Sequence, residues 1–212
     1  MTGRGRTTED GYGLAELLVA TAVTMTVTGG AGVLASGVQR IALAVDAEQA
    51  ARMDAHFTLD SIVRTVEQAG SFPYSGPSVV CGGGTDVTPL VVDPLGDGRR
   101  DAIRVLADVN PPNGLLGGVT GDCDESGEDV LIAFDRRAGT VTRRDAASAG
   151  APAAVSSARV LGLRFGYRDA EGHETDRAAD VSSVLVELTV RADGALDPRP
   201  RLYTGMARLR ER

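Results

Sequence analysis

The chain has 212 residues, a net charge of −7, and a composition that is 42% hydrophobic, 24% charged and 4% aromatic. That length holds one domain of ordinary size plus an appendage, and the balance of apolar and charged residues is that of a globular chain, not a disordered one. All 22 basic residues are arginine, which excludes P-loop nucleotide binding and lysine Schiff-base chemistry, while the acidic balance disfavours a protein that coats nucleic acid.

Residues 17–39, LLVATAVTMTVTGGAGVLASGVQ, form a run of 23 residues without a charge. As a helix it spans roughly 35 Å, enough to cross a bilayer core of about 30 Å. Arg40 closes the run, and Arg4 and Arg6 lie upstream of it. Under the positive-inside rule they keep the amino end cytoplasmic and send the rest of the chain across. A run of this kind serves as a signal peptide, a plain anchor or something more specific. Glu16 at its edge favours the specific reading, because a carboxylate carried to the bilayer centre costs about 3 kcal/mol and normally marks a function.

Around Glu16 stands Gly11-Tyr12-Gly13-Leu14-Ala15-Glu16-Leu17-Leu18-Val19-Ala20. This resembles the processing motif of type IV pilins and type II secretion pseudopilins, in which a glycine precedes the cut, an aromatic residue or methionine follows it, and glutamate is the fifth mature residue. Gly13 and Ala15 depart from the threonine and the isoleucine or valine common there, and Glu9 and Asp10 stand where basic residues are usual. The resemblance implies cleavage after Gly11 by a prepilin peptidase, methylation of the Tyr12 amine, and retention of the apolar helix. It also implies that Glu16 neutralises the amino terminus of a neighbouring subunit in a filament core, where a buried carboxylate and ammonium cost less together than apart. Two other readings stand beside it. One is a generic single-pass anchor, the other a signal peptide cut near Val33-Leu34-Ala35.

Ala22, Thr26 and Gly30 repeat at four-residue spacing along the apolar run, a stripe that lets helices approach closely in lipid. From 41 to 69 there is no proline or glycine, and Leu59, Ile62, Val63 and Val66 follow the spacing of a buried helix face. Gly70 and Pro73 stop the pattern. The expectation is one long helix, with the stretch over 41–70 an amphipathic continuation of the membrane stretch over 12–40. Beyond it, segments 79–81, 90–92, 102–107, 130–135, 140–143, 160–168, 184–191 and 202–209 read as strands between glycine, aspartate and proline clusters. In 184–191 the alternation is clear, with Val184, Val186, Leu188 and Val190 on one face. The fold class expected is α+β, a long amino-terminal helix packed on antiparallel sheet over 71–212; the resemblance makes this a pilin-like fold with a leader at 1–11.

The carboxyl half is similar to one branch of that family. Leu161, Leu163, Phe165, Tyr167 and Asp169 ahead of Gly172 resemble a leucine, phenylalanine, tyrosine, aspartate and glycine hairpin that precedes a valine-rich strand and an arginine-rich end, here Met206-Ala207-Arg208-Leu209-Arg210. Minor pilins of the W class and minor pseudopilins of the J class look like this, and the 201 residues left after cleavage suit a minor subunit.

Cys81 and Cys123 read as a disulfide if the domain is exported, worth roughly 4 kcal/mol on a chain-entropy argument, with two buried thiols as the alternative. Asp93, Asp97 and Asp101, with glycines at 96 and 98, resemble a short calcium loop. Leu95 occupies a ligand position, however, so a polar turn is preferred and no cofactor is assigned. Asp122, Asp124, Glu125, Glu128 and Asp129 form an acidic cluster read as a solvated loop, with an ionic contact to a partner as the alternative. The arginine pairs at 99–100, 136–137 and 143–144 read as solvated, with contact to DNA or to another subunit's acidic loop as the alternatives. His56 and His173 lie at no metal-ligand spacing. No G-x-S-x-G and no placed histidine point to a catalytic triad, and Gly82-Gly83-Gly84 opens no helix, so an enzyme is not expected.

The function expected is structural. The chain is a processed minor subunit of a type IV pilus or type II secretion pseudopilus, at initiation or at the tip. Its partners are other pilin or pseudopilin subunits, the prepilin peptidase and N-methyltransferase, the inner-membrane assembly platform and, before assembly, membrane lipid. Its location is the bacterial inner membrane with the carboxyl domain outside, and then the filament at the cell surface. The alternative is a single-pass anchored extracytoplasmic domain for binding or sensing.

Overall fold

A computed structural model describes residues 13–72, 79–80, 88–109, 115–116, 127–145, 151–197 and 199–209. The chain divides after Ala44 into two units. Helix α1, Leu14–Glu67, is 54 residues long and begins in the first of them. There, every residue from 14 to 43 is exposed, including Leu17, Leu18, Val23 and Leu34. The helix is long and apolar enough to cross a membrane.

In the second unit, the rest of α1 supplies one face to a core. Ala55, Leu59, Ile62 and Val66 are buried, and Val63 packs at the margin, as the 3.6-residue spacing predicts. The helix stops at Glu67, earlier than Gly70. Gly70 takes a left-handed φ of 75°, and its N–H donates to the Leu106 carbonyl at 3.0 Å. That bond ties the helix end to a strand while satisfying a backbone group that helix geometry leaves over.

The helix packs against antiparallel sheet, an α+β arrangement. Strands β2 (Leu90–Val92), β3 (Ala102–Leu106), β5 (Asp129–Asp135), β6 (Thr140–Asp145) and β7 (Ala153–Ala154) form one sheet in that order, every pair antiparallel. Strands β8 (Arg159–Arg168), β9 (Ser183–Arg191) and β10 (Arg201–Arg208) form a second, in the order β10-β9-β8, also antiparallel. Two further short strands, β1 (Val79–Val80) and β4 (Leu115–Leu116), pair in parallel. The single sheet expected from sequence is therefore two sheets and a parallel pair. β4 and β7, two residues each, are too short to show any periodicity.

The alternation in β9 has the predicted outcome: Val184, Val186, Leu188 and Val190 are all buried. Phe165 and Tyr167 of β8 add the largest fully buried side chains, and the two sheets meet along β8. The Phe165 N–H donates to the Arg100 carbonyl at 2.7 Å, and the Val160 N–H to the Gly139 carbonyl at 2.8 Å. On the helix side, Thr58 is fully buried and donates to the Val155 carbonyl at 3.2 Å. The Asp54 carboxylate accepts the Ser157 N–H at 2.9 Å and the Ala158 N–H at 2.8 Å, latching the helix to the chain entering β8.

The helix lies so close to β10 that a side chain at one point would crowd it. A Cβ on Gly205 would stand 3.0 Å from Val63 Cγ2 and 3.1 Å from Leu59 Cγ. Gly205→Val is therefore expected to lower the unfolding free energy by about 1–3 kcal/mol through overpacking. Urea denaturation followed by circular dichroism reads this, and an unshifted midpoint would contradict so tight a helix–strand contact.

Candidate functional site

Glu16 lies in the first turn of α1, its N–H donating to the Gly13 carbonyl at 2.9 Å. A carboxylate there gains about 0.3–1 kcal/mol from the helix dipole, and Glu16 makes no ion pair among the described residues. Along the apolar stretch that follows, polar side chains turn inward on their own backbone. Thr24 donates to the Ala20 carbonyl at 2.7 Å, Thr26 to Ala22 at 2.8 Å, Thr28 to Thr24 at 2.7 Å and Ser36 to Val33 at 2.8 Å. Thr21 bonds back to Leu17 and Leu18 in the same way. Each hydroxyl is satisfied within the helix, so the stretch offers an apolar environment almost no unmet polar group except Glu16. Sequence reasoning missed this, although four threonines in an otherwise apolar helix were the signal. Gly11 and Tyr12, the predicted processing residues, lie outside the described residues, as do Cys81 and Cys123.

The Asp93–Asp101 segment is a turn leading into β3. Asp93 has φ 53°, and its carboxylate accepts the Asp97 N–H at 3.2 Å and the Gly98 N–H at 2.8 Å. Asp97 accepts the Arg99 N–H at 3.0 Å. Asp101 is buried and receives Arg136 Nε at 3.0 Å and Nη2 at 2.7 Å. The three carboxylates thus have separate partners, and no group of three or more His, Cys, Asp or Glu gathers as a metal site among the described residues.

Of the acidic cluster, Asp122, Asp124 and Glu125 lie outside the described residues. Glu128 and Asp129 are buried and structural, not solvated. Glu128 accepts the Val109 N–H at 3.0 Å. Asp129 takes both Nε and Nη2 of Arg104, at 2.7 and 2.6 Å, and this bidentate bond raises the Arg104 guanidinium above its ordinary value against the opposing effect of burial. At least one arginine of each pair named above has an acidic neighbour: Arg100 reaches Asp176 at 2.5 Å, Arg136 reaches Asp101, and Arg143 lies 3.8 Å from Asp145. Asp135 opens the β5–β6 turn and accepts the N–H groups of Arg137 at 2.8 Å and Ala138 at 3.0 Å, which hold its carboxyl below the usual range.

Tyr167 is fully buried, and its hydroxyl has no hydrogen-bond partner among the described residues. Burial pushes the phenol well above its ordinary value, with Arg100 pulling it down and Asp93 and Asp176 adding to the rise. A raised folded-state value means stability that is full below the unfolded tyrosine value of about 10 and is lost as pH climbs above it. Tyr167→Phe is expected to add about 1–2 kcal/mol at neutral pH by removing an unsatisfied polar group, and to move alkaline unfolding to higher pH. A destabilised variant would reveal a partner for the hydroxyl.

No family model, curated protein or solved structure matches the chain.

Proposed function

We propose that this chain is a minor subunit of a type IV pilus or a type II secretion pseudopilus, cleaved after Gly11 and assembled through its apolar helix. The observation that carries the reading is Glu16 in the first turn of a helix whose residues 14–43 are exposed, uncharged from 17 to 39, and internally satisfied at their hydroxyls. Such a surface needs lipid before assembly and other helices after it. The small-residue stripe Ala22, Thr26 and Gly30 supports close helix approach, and the order Gly11, Tyr12, Glu16 supports processing by a prepilin peptidase. The β-rich domain is then the part presented outside the inner membrane, as in the minor pilins and pseudopilins that the carboxyl half resembles. The role is structural, at initiation or at the tip.

Shearing cells of the source bacterium and identifying the released filament proteins by mass spectrometry tests this. The reading expects the mature chain in the sheared fraction, at low abundance beside a major subunit. Complete retention in the membrane fraction supports the rival reading, an anchored binding or sensing domain.

A further inference from the structure

The outer domain carries a pocket that the filament reading does not use. The β5–β6 turn docks on the start of β8, leaving an open cleft of about 360 Å³ lined by Phe134, Arg136, Arg137, Arg159 and Leu161 among others. The turn is rigidly placed. Asp135 caps it from within, the Gly139 carbonyl receives the Val160 N–H, and a Cβ at Gly139 would stand 3.3 Å from the Val160 carbonyl oxygen. β8 carries a β-bulge at this point. Val160 pairs with Val190 and Gly162 with Thr189, so Leu161 is the extra residue, 40% exposed and lining the pocket. Bulges recur where a side chain is re-aimed beside a functional site.

The charges are unequal in their partners. Arg136 is held by Asp101 and lies 5.8 Å from the centre of the Phe134 ring. Arg137 lies near enough to Asp135 to help hold its carboxyl low, and Arg159 makes no ion pair among the described residues. Arg159 also stands directly opposite Arg191 across the β8–β9 ladder, a like-charge placement that is unfavourable for the strand pair. Arg191 has its own partner in Asp193, at 3.2 Å. Three guanidinium groups beside the apolar side chains of Phe134 and Leu161, on a protein of net charge −7, suit a short anionic segment with one apolar side chain. A long polyanion would meet the repulsion of the remaining surface.

We infer that the pocket formed by Arg136, Arg137, Arg159, Phe134 and Leu161 binds an acidic peptide segment of a partner protein, with carboxylates on the arginines and an apolar side chain against Leu161 and Phe134. Arginine suits this task because its planar fork takes a carboxylate through two hydrogen bonds. The inference stands whether or not the chain enters a filament.

The test uses the full-length chain in detergent micelles and a fluorescein-labelled heptapeptide of aspartate and glutamate around a central phenylalanine, read by fluorescence anisotropy. Saturable binding is expected, weakened by about tenfold or more in R137A/R159A. Leu161→Ser, or alanine in place of the peptide's phenylalanine, should weaken it severalfold, while Arg208→Ala, which alters an arginine outside the pocket, should leave it unchanged. Circular dichroism confirms that each variant is folded. Absence of saturable binding, or equal binding by R137A/R159A, overturns the inference. So does equally effective competition by inorganic phosphate, by a single-stranded oligonucleotide or by anionic lipid vesicles, each of which would assign the arginines to a different ligand.

Discussion

Replacing Glu16 with alanine is expected to leave the outer domain folded and the chain in the membrane, yet to cut its recovery in sheared filaments by about tenfold or more. The reasoning rests on where the charge sits. Residues 14–43 expose an almost wholly apolar helix surface whose hydroxyls are bonded internally. Within a packed array of such helices a lone carboxylate costs several kcal/mol unless a cation meets it. The proposed cation is the amine of a neighbour's Tyr12. Alanine removes the carboxylate and leaves that amine buried without a counter-charge, the costly half of breaking an ion pair. Glu16→Gln should fail in the same way, because the amide keeps the shape and loses the charge. Unchanged recovery of both variants would reduce Glu16 to a helix-dipole contact worth about 0.3–1 kcal/mol.

Phe165→Ala is expected to cost about 3–5 kcal/mol of unfolding free energy, a large share of the roughly 5–15 kcal/mol that holds a domain together. Phe165 is fully buried and pairs with Val186 across the β8–β9 ladder. Its N–H joins the two sheets through the Arg100 carbonyl at 2.7 Å. Removing the ring opens a cavity at the seam between sheets, where neither layer can move inward without breaking that bond. The urea midpoint of the full-length chain in micelles measures the effect. A loss below about 1 kcal/mol would mean that the seam collapses around the gap.

Local pattern made the helix and the longer strands legible. The face of Leu59, Ile62 and Val66 and the alternation of Val184, Val186, Leu188 and Val190 both follow from side-chain periodicity. What escaped prediction depends on residues far apart in sequence. The Asp54 latch joins positions 103 residues distant, and the Arg104–Asp129 pair is set by the register of β3 on β5. Asp101 was grouped with Asp93 and Asp97 because they are close in sequence, yet strand geometry delivers it to Arg136 across the sheet. The basic pocket was half visible in Arg136-Arg137. Arg159 and Leu161 join it only through the docking of a turn on β8 and a bulge that no spacing rule announces. Gly205 lies within the strand read at 202–209, and the nearness of Val63 and Leu59 explains a glycine there.

The central claim is that this helix is a processed assembly element and not a plain anchor. Intact mass and amino-terminal sequencing of the protein purified from its native membranes test it most directly. The account predicts a chain that begins at an N-methylated Tyr12. A chain beginning at Met1 or Thr2 would contradict it and leave a single-pass anchor, and one beginning at Ser36 would mean a secreted domain with no use for Glu16.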